Sequence, residues 1–240
     1  MDYYRVIMHP VSEFRRYGRN TLRGRWKNAA FVCILYLILG SFPQVLWDVL
    51  TDRIYLGAAE YTEEAVSGFY SFFIYSVFML GMAAYFLNMS RGRQQNPLDV
   101  LNGFEYIAKA MGLAFMTLLF TLLWGILFIV PGIIAAVRYS QAFYILAEHP
   151  EYSVMRCINE SKYLMQGNKW KYFFMILSFS GWIILSLIPL SVFEFYISDM
   201  EYSAWFNLAG TVLAVPLCWV NAYINASSAD FYNVLIGKMD

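Results

Sequence analysis

One arginine interrupts an otherwise apolar stretch. The segment 132–147 reads GIIAAVRYSQAFYILA and carries Arg138, followed at once by Tyr139, Ser140 and Gln141. Near the other end of the chain, Asn221, Asn225 and Ser228 recur at helical spacing, with Asp230 just after them. A cation at hydrocarbon depth costs about 2.5–3.5 kcal/mol on insertion scales, so it must face a bundle interior or snorkel to an interface. Arg138, Tyr139, Gln141, Asn221 and Asn225 are therefore the candidate set for binding an anion or a lipid headgroup. The plainer account of the same residues is hydrogen bonding between helices, which contributes about 0.6 kcal/mol on average in membrane bundles.

Other chemistries lack their residues. The chain has two histidines, His9 and His149, and three well-separated cysteines, Cys33, Cys157 and Cys218. That supports neither a metal site nor a disulfide framework. Intramembrane hydrolysis needs paired Asp, a Ser–His pair or a His cluster within the spans, and the apolar spans carry no Asp, Glu or His. Arg91-Gly-Arg93 lacks the partners of a phosphate-binding glycine loop. No enzyme, no metal and no cofactor is expected. A formal net charge of zero, from 17 basic and 17 acidic residues, speaks against a nucleic-acid partner.

The elements that must hold these residues follow from composition. Of 240 residues, 60% are hydrophobic and 14% charged, against about 25% charged in an average soluble domain. A soluble surface could not be covered with so few charges, so the expected class is an all-α integral membrane bundle. Apolar stretches near 20 residues fall at about 28–47, 68–88, 110–130, 172–193 and 204–224. The 132–147 stretch adds a sixth, because Pro131-Gly132 is a turn with no room for a loop. Arg138 then sits about seven residues past that turn, or about 10 Å deep at ~1.5 Å per residue.

With six spans and both termini on one side, 15 of the 17 basic residues share that side. The opposite side keeps only Arg53, and Arg138 lies between them. The positive-inside rule makes the basic side cytoplasmic. The neutral total divides into 15 basic and 9 acidic residues inside, against one basic and 8 acidic outside. No signal-peptide pattern precedes the first span, which reads as an anchor that stays.

Short amphipathic helices are expected between the spans at about 11–26, 97–109 and 151–166, lying at the membrane surface. Asn96-Pro97-Leu98-Asp99 has the form of a helix start, with Asn as cap and Asp three residues on. Arg23-Gly-Arg-Trp26-Lys27 resembles Gly167-Asn-Lys-Trp170-Lys171, each before an apolar run. That hints at a repeat of surface helix, outgoing span and returning span, made three times. The expected architecture is one domain over 1–240 with six transmembrane helices as three hairpins.

Several stretches carry a family likeness: Ala84-Tyr-Phe-Leu with Arg91-Gly, Pro97-Leu-Asp-Val-Leu-Asn-Gly-Phe104, and Trp124 through Val130-Pro-Gly-Ile-Ile134. Arg138-Tyr-Ser-Gln-Ala-Phe-Tyr-Ile-Leu-Ala147, Ser161-Lys162, Gly167-Asn-Lys-Trp170 and Ser178-Phe-Ser-Gly-Trp182 continue it. Together they resemble an uncharacterised bacterial family of multi-pass membrane proteins, domain of unknown function 975. The resemblance implies a bacterial inner-membrane protein of about six spans, and it implies no activity. The tail after Tyr232 is short and the 48–67 loop is individual.

The leading expectation is a non-enzymatic accessory or scaffold component of the cell envelope, working through membrane lipids or a membrane-protein partner. The rival is a transporter or lipid translocator centred on Arg138. A cavity at mid-depth lined by Arg138 and the Asn221/Asn225 face would favour the rival. Oligomeric state and substrate have no signal in the sequence.

Overall fold

The computed structural model describes residues 6–51, 60–197 and 204–239, with side chains over 6–40, 68–197 and 209–239. The side chains of the acidic 48–67 segment, and those of Pro43, Trp47, Asp199, Glu201 and Trp205, lie outside this range. Among the described residues every regular element is helical. The helices are α1 (Val11–Leu22), α2 (Trp26–Thr51) and α3 (Glu60–Ser90). A 3₁₀ helix (Pro97–Tyr106) then runs directly into α4 (Ile107–Leu127). After these come α5 (Ile129–Tyr139), α6 (Ala142–Glu148), α7 (Val154–Leu164), α8 (Lys169–Leu177), α9 (Ser180–Ile197), α10 (Ala204–Leu213) and α11 (Val215–Leu235).

Four helical runs are long and apolar enough to cross a membrane: Gly68–Ser90, Pro97–Leu127, Ile129–Glu148 and Lys169–Ile197. Trp26–Gly40 is a shorter apolar helix. Six spans are expected from the sequence, and four runs meet this standard among the described residues. The other two, at 28–47 and 204–224, both extend into segments whose side chains are not described.

Local chemistry sets the boundaries. Asn96 caps the 3₁₀ helix by accepting from the Leu98 amide at 3.1 Å, and Asp99 returns the favour to the Asn96 amide at 2.9 Å. Ser153 caps α7 through the Arg156 amide at 3.3 Å. A short helix directly precedes each of α2, α4 and α8: these are α1, the 3₁₀ helix and α7. The third and fourth long runs are each broken, at Ser140-Gln141 and at Ser178-Phe179.

The fold closes around the second half of α11. From Ala226 to Leu235 every residue of that helix is buried. Phe14, Gly18 and Leu22, the apolar face of α1, lie against it, with the Phe14 and Phe231 rings 4.9 Å apart. That face is the one expected on the bilayer surface. It is covered by protein instead, because α11 continues past the apolar span and offers it a complementary surface. Burying a Phe side chain contributes about 2 kcal/mol. The 6–10 segment is tied down separately, since the Ile7 amide donates to Asn168 Oδ1 at 2.8 Å and Lys171 Nζ donates to the Ile7 carbonyl.

Outside this centre the apolar surface is bare. The tip of the α4–α5 hairpin exposes Ile126, Phe128 and Ile129, and α9 exposes Trp182, Ile184, Leu185 and Phe195, the last 77% accessible. In the run Gly68–Ser90 two thirds of the most apolar window is buried, against 17% in Pro97–Leu127 and Lys169–Ile197. Two helices are thus internal along much of their length, and two face outward.

Close backbone crossings hold the inner helices together. A Cβ on Gly81 would stand 1.9 Å from the Val100 carbonyl oxygen, and one on Gly103 would stand 2.4 Å from the Val77 carbonyl oxygen. Neither obstacle is a movable side-chain tip. Gly81→Ala is expected to destabilise by about 1–3 kcal/mol through forced separation of α3 and the 3₁₀ helix. Gly40→Ala, which meets nothing within 4 Å, is expected to be neutral or slightly stabilising. Apparent thermal midpoints of the purified variants in detergent distinguish the two.

Candidate functional site

Arg138 and Tyr139 end α5 and Gln141 follows the break at Ser140, which sends the three to different surroundings. The Arg138 carbonyl accepts from Ser161 Oγ on α7 at 2.8 Å, and the same hydroxyl accepts from the Gln141 amide at 3.2 Å. Ser161 thereby takes up polar backbone groups freed by the break. Arg138 Nε is buried without a hydrogen-bond partner. The Tyr139 ring has Lys162 Nζ of α7 at 5.7 Å from its centre and the Phe120 ring of α4 at 6.2 Å.

Gln141 is fully buried, and its Nε2 donates to Ser140 Oγ at 2.9 Å while its Oε1 has no partner. The Tyr172 hydroxyl of α8 faces this amide and Ser140, and lies 3.4 Å from Ser228 Oγ on α11. One turn earlier on α11, the Asn225 carbonyl accepts from the Tyr144 hydroxyl at 3.4 Å, and Asn225 Nδ2 donates to the Asn221 carbonyl at 2.9 Å. The structure brings Gln141 and Asn225 toward one polar layer, through Tyr172 and Tyr144. No hydrogen bond joins Arg138 to Asn221 or Asn225.

A cavity of about 600 Å³ does lie beside the break, between α2, α3, α4 and α5. Tyr139 and Ser140 line it together with Tyr36, Ser71, Tyr75 and Thr117. Arg138, Gln141 and both asparagines are not among its lining residues. Its polar groups are hydroxyls, which suit a neutral hydrogen-bonding ligand better than an anion.

The densest polar arrangement stands elsewhere, where the ends of α3, α6 and α11 meet α1. Asp230 is fully buried, and it accepts from Ser90 Oγ at 2.5 Å and from Thr21 Oγ1 at 3.1 Å. Asn233 Nδ2 donates to Ser90 Oγ at 2.6 Å, and Asn233 Oδ1 accepts from Arg91 Nε at 3.0 Å. Arg91 Nη2 donates to Glu148 Oε1 at 2.9 Å. Glu148 Oε2 accepts from the Tyr232 hydroxyl at 2.8 Å, and Lys238 also pairs with Oε1. One chain of hydrogen bonds thus runs from Thr21 to Lys238 across four helices. Burial, then the Glu148 carboxylate, pushes the Tyr232 hydroxyl well up, so it remains a neutral donor.

Sequence reasoning treats Arg91, Glu148 and Lys238 as loop charges and leaves Thr21, Ser90 and Asn233 without a role. The legible signal is Asp230 and Asn233 at a three-residue spacing among small and aromatic residues of one helix. With that helix extended past residue 224, both must be buried and must find donors.

The family described as Protein of unknown function (DUF975) matches residues 118–238. The chain belongs to that family. No curated protein and no solved structure matches it. The DUF975 match takes in Arg138, Tyr139, Gln141, Asn221 and Asn225. It also takes in one half of the polar chain, Glu148, Asp230, Asn233 and Lys238. Thr21, Ser90 and Arg91, the other half, lie before the DUF975 region.

Two outcomes are expected from this network. Burial raises the Asp230 carboxyl to about 6, against the lowering effect of Ser90 and Thr21. The folded state therefore binds that proton more tightly than the unfolded chain, for which the ordinary value is 3.8. This contribution to stability is complete below about pH 4 and is lost as pH rises to about 6. Asp230→Asn should flatten the dependence of the thermal midpoint on pH across this window. Separately, Glu148→Ala leaves Arg91 without its charge partner and should cost about 3 kcal/mol. Arg91→Ala should cost less in that background than alone, since only its bond to Asn233 is then left to lose, a non-additivity that a double-mutant cycle in detergent measures directly.

Proposed function

We propose that this protein is a non-enzymatic, multi-pass component of the bacterial inner membrane that acts through contacts with lipids, as an accessory or scaffold element of the envelope. The observation that carries the reading is the distribution of apolar surface. The α4–α5 tip and α9 leave large aliphatic and aromatic side chains bare, while α3, α6 and the second half of α11 are internal. A surface of this extent is satisfied by acyl chains or by another membrane helix. Six spans with both termini in the cytoplasm fit this reading, since 15 of 17 cations then share one face. Near an anionic leaflet each such cation contributes about 1 kcal/mol of attraction.

A second reading is favoured by one feature. The 600 Å³ cavity beside the broken α5–α6 run suits a translocator whose substrate passes the Tyr139–Ser140 step. Discontinuous helices at cavities are a recurring transporter device. Arg138, with its buried and unpartnered Nε, would be the polar anchor near that step.

Extraction in native lipid followed by mass spectrometry of everything retained tests both readings. Stoichiometric anionic lipid, retained unchanged by Arg138→Ala, is the expected result for the lipid-contact component. Loss of a bound small anion or lipid in Arg138→Ala, with the fold intact, transfers the reading to the translocator. Retention of no lipid at all overturns the first reading.

A further inference from the structure

Two helices of this protein end in the same way and deliver their next residue to the same place. α3 closes with Asn88-Met-Ser-Arg-Gly92-Arg93, and α11 closes with Asn233-Val-Leu-Ile-Gly237-Lys238. Gly92 has φ +73° and Gly237 has φ +72°, the left-handed conformation that favours glycine. In each case the chain folds back on the helix. The Arg93 amide donates to the Asn88 carbonyl at 3.1 Å, and the Lys238 amide donates to the Asn233 carbonyl at 2.8 Å. The residue after the glycine is a cation both times. The two helix ends lie side by side, joined by the Arg91–Asn233 and Asn233–Ser90 hydrogen bonds.

Between them is a cleft of about 360 Å³, lined by Asn88, Arg91, Arg93, Glu148 and Lys238 above Ala84 and Leu87. Three cations meet one carboxylate there. Glu148 already takes three donors, with Arg91 and Lys238 on one oxygen and the Tyr232 hydroxyl on the other. It holds two of the cations against the wall, and the side chains keep a formal excess of positive charge that faces the negative dipole ends of α3, α6 and α11. Arg91 is 17% exposed and fixed through Nε and Nη2, while its Nη1 makes no hydrogen bond among the described residues. The Arg93 guanidinium donates to the Asn88 amide oxygen at 3.0 Å and meets no carboxylate among the described residues. Planar guanidinium donors on a rigid mount match the oxygens of a phosphate group.

We propose that this cleft is a binding site for an anionic phosphate group, presented by a lipid headgroup or by a soluble phosphate compound. Arg93 and Lys238 supply the outer donors and Arg91 the inner one. The paired helix ends set their spacing. The site is distinct from the Arg138 region and needs nothing from it. It rests on the lipid-contact reading only in its lipid form, because the donors suit soluble phosphate equally.

The test uses the full chain, with Arg93→Gln and Lys238→Gln combined. Arg91 is left in place because its removal breaks the buried network. Arg16→Gln with Arg23→Gln removes the same charge from the exposed side of α1 and its turn, and serves as the comparison. Inorganic phosphate is titrated calorimetrically into detergent-solubilised protein. Phosphatidylglycerol and phosphatidylcholine are compared in nanodiscs by native mass spectrometry. Removing two charge-assisted donors is expected to weaken binding about tenfold or more, with the thermal midpoint little changed and the comparison variant unaffected.

Binding of inorganic phosphate that the variant loses identifies a soluble compound as the source. Retention of phosphatidylglycerol alone, lost in the same way, identifies the lipid. Equal retention of phosphatidylcholine, or equal weakening in both double variants, or no binding of any probe, overturns the site. Phosphate binding by a protein that retains no lipid would refute the lipid-contact function and leave the cleft standing.

Discussion

A buried carboxylate on the last helix organises the interior of this protein. Asp230 cannot be hydrated where it stands, so the chain must bring it donors, and it draws them from far away in sequence. Thr21 arrives on α1 and Ser90 on α3. Each of those contacts fixes a helix end against α11, and small residues allow the approach. Gly18 crosses so closely that a Cβ there would stand 2.2 Å from Ser227 Oγ. Ser227 Oγ itself is buried without a partner, the cost of letting two backbones come so near. Ala222, Ala226 and Ala229 keep the rest of α11 narrow, as small residues do in membrane helix packing.

Much of the architecture was legible because it depends on composition and local signals. Apolar length, the Asn96–Asp99 start and the short helices before α2, α4 and α8 all follow from residues close together in sequence. Two features were not legible for a shared reason. An amphipathic helix reads the same whether its apolar side meets lipid or protein, so α1 gave no sign that α11 would cover it. Charges in a connecting segment likewise read the same whether solvated or paired. Arg91, Glu148 and Lys238 look like topology signals until the ends of α3, α6 and α11 are placed together.

The Arg138 region shows how adjacency in sequence misleads about adjacency in space. Successive residues on a helix point about 100° apart, and the interruption at Ser140 turns the chain again. Tyr139 therefore reaches the hydroxyl-lined cavity, Gln141 reaches the layer of Tyr172 and Ser228, and the Arg138 carbonyl reaches α7. Spacing alone places them together. What unites them is the interruption itself, whose freed backbone groups need Ser161 on α7.

The pairing of α1 with α11 also fixes an order of events. A ribosome finishes α1 about 200 residues before it makes the segment that covers Phe14, Gly18 and Leu22. During that interval the apolar side of this basic helix has no α11 to cover it, and its amphipathic composition suits an interface. Long-range closure of this kind is slow compared with local helix formation. Closure of the fold therefore waits for the last helix, which must find an apolar face made about 200 residues earlier.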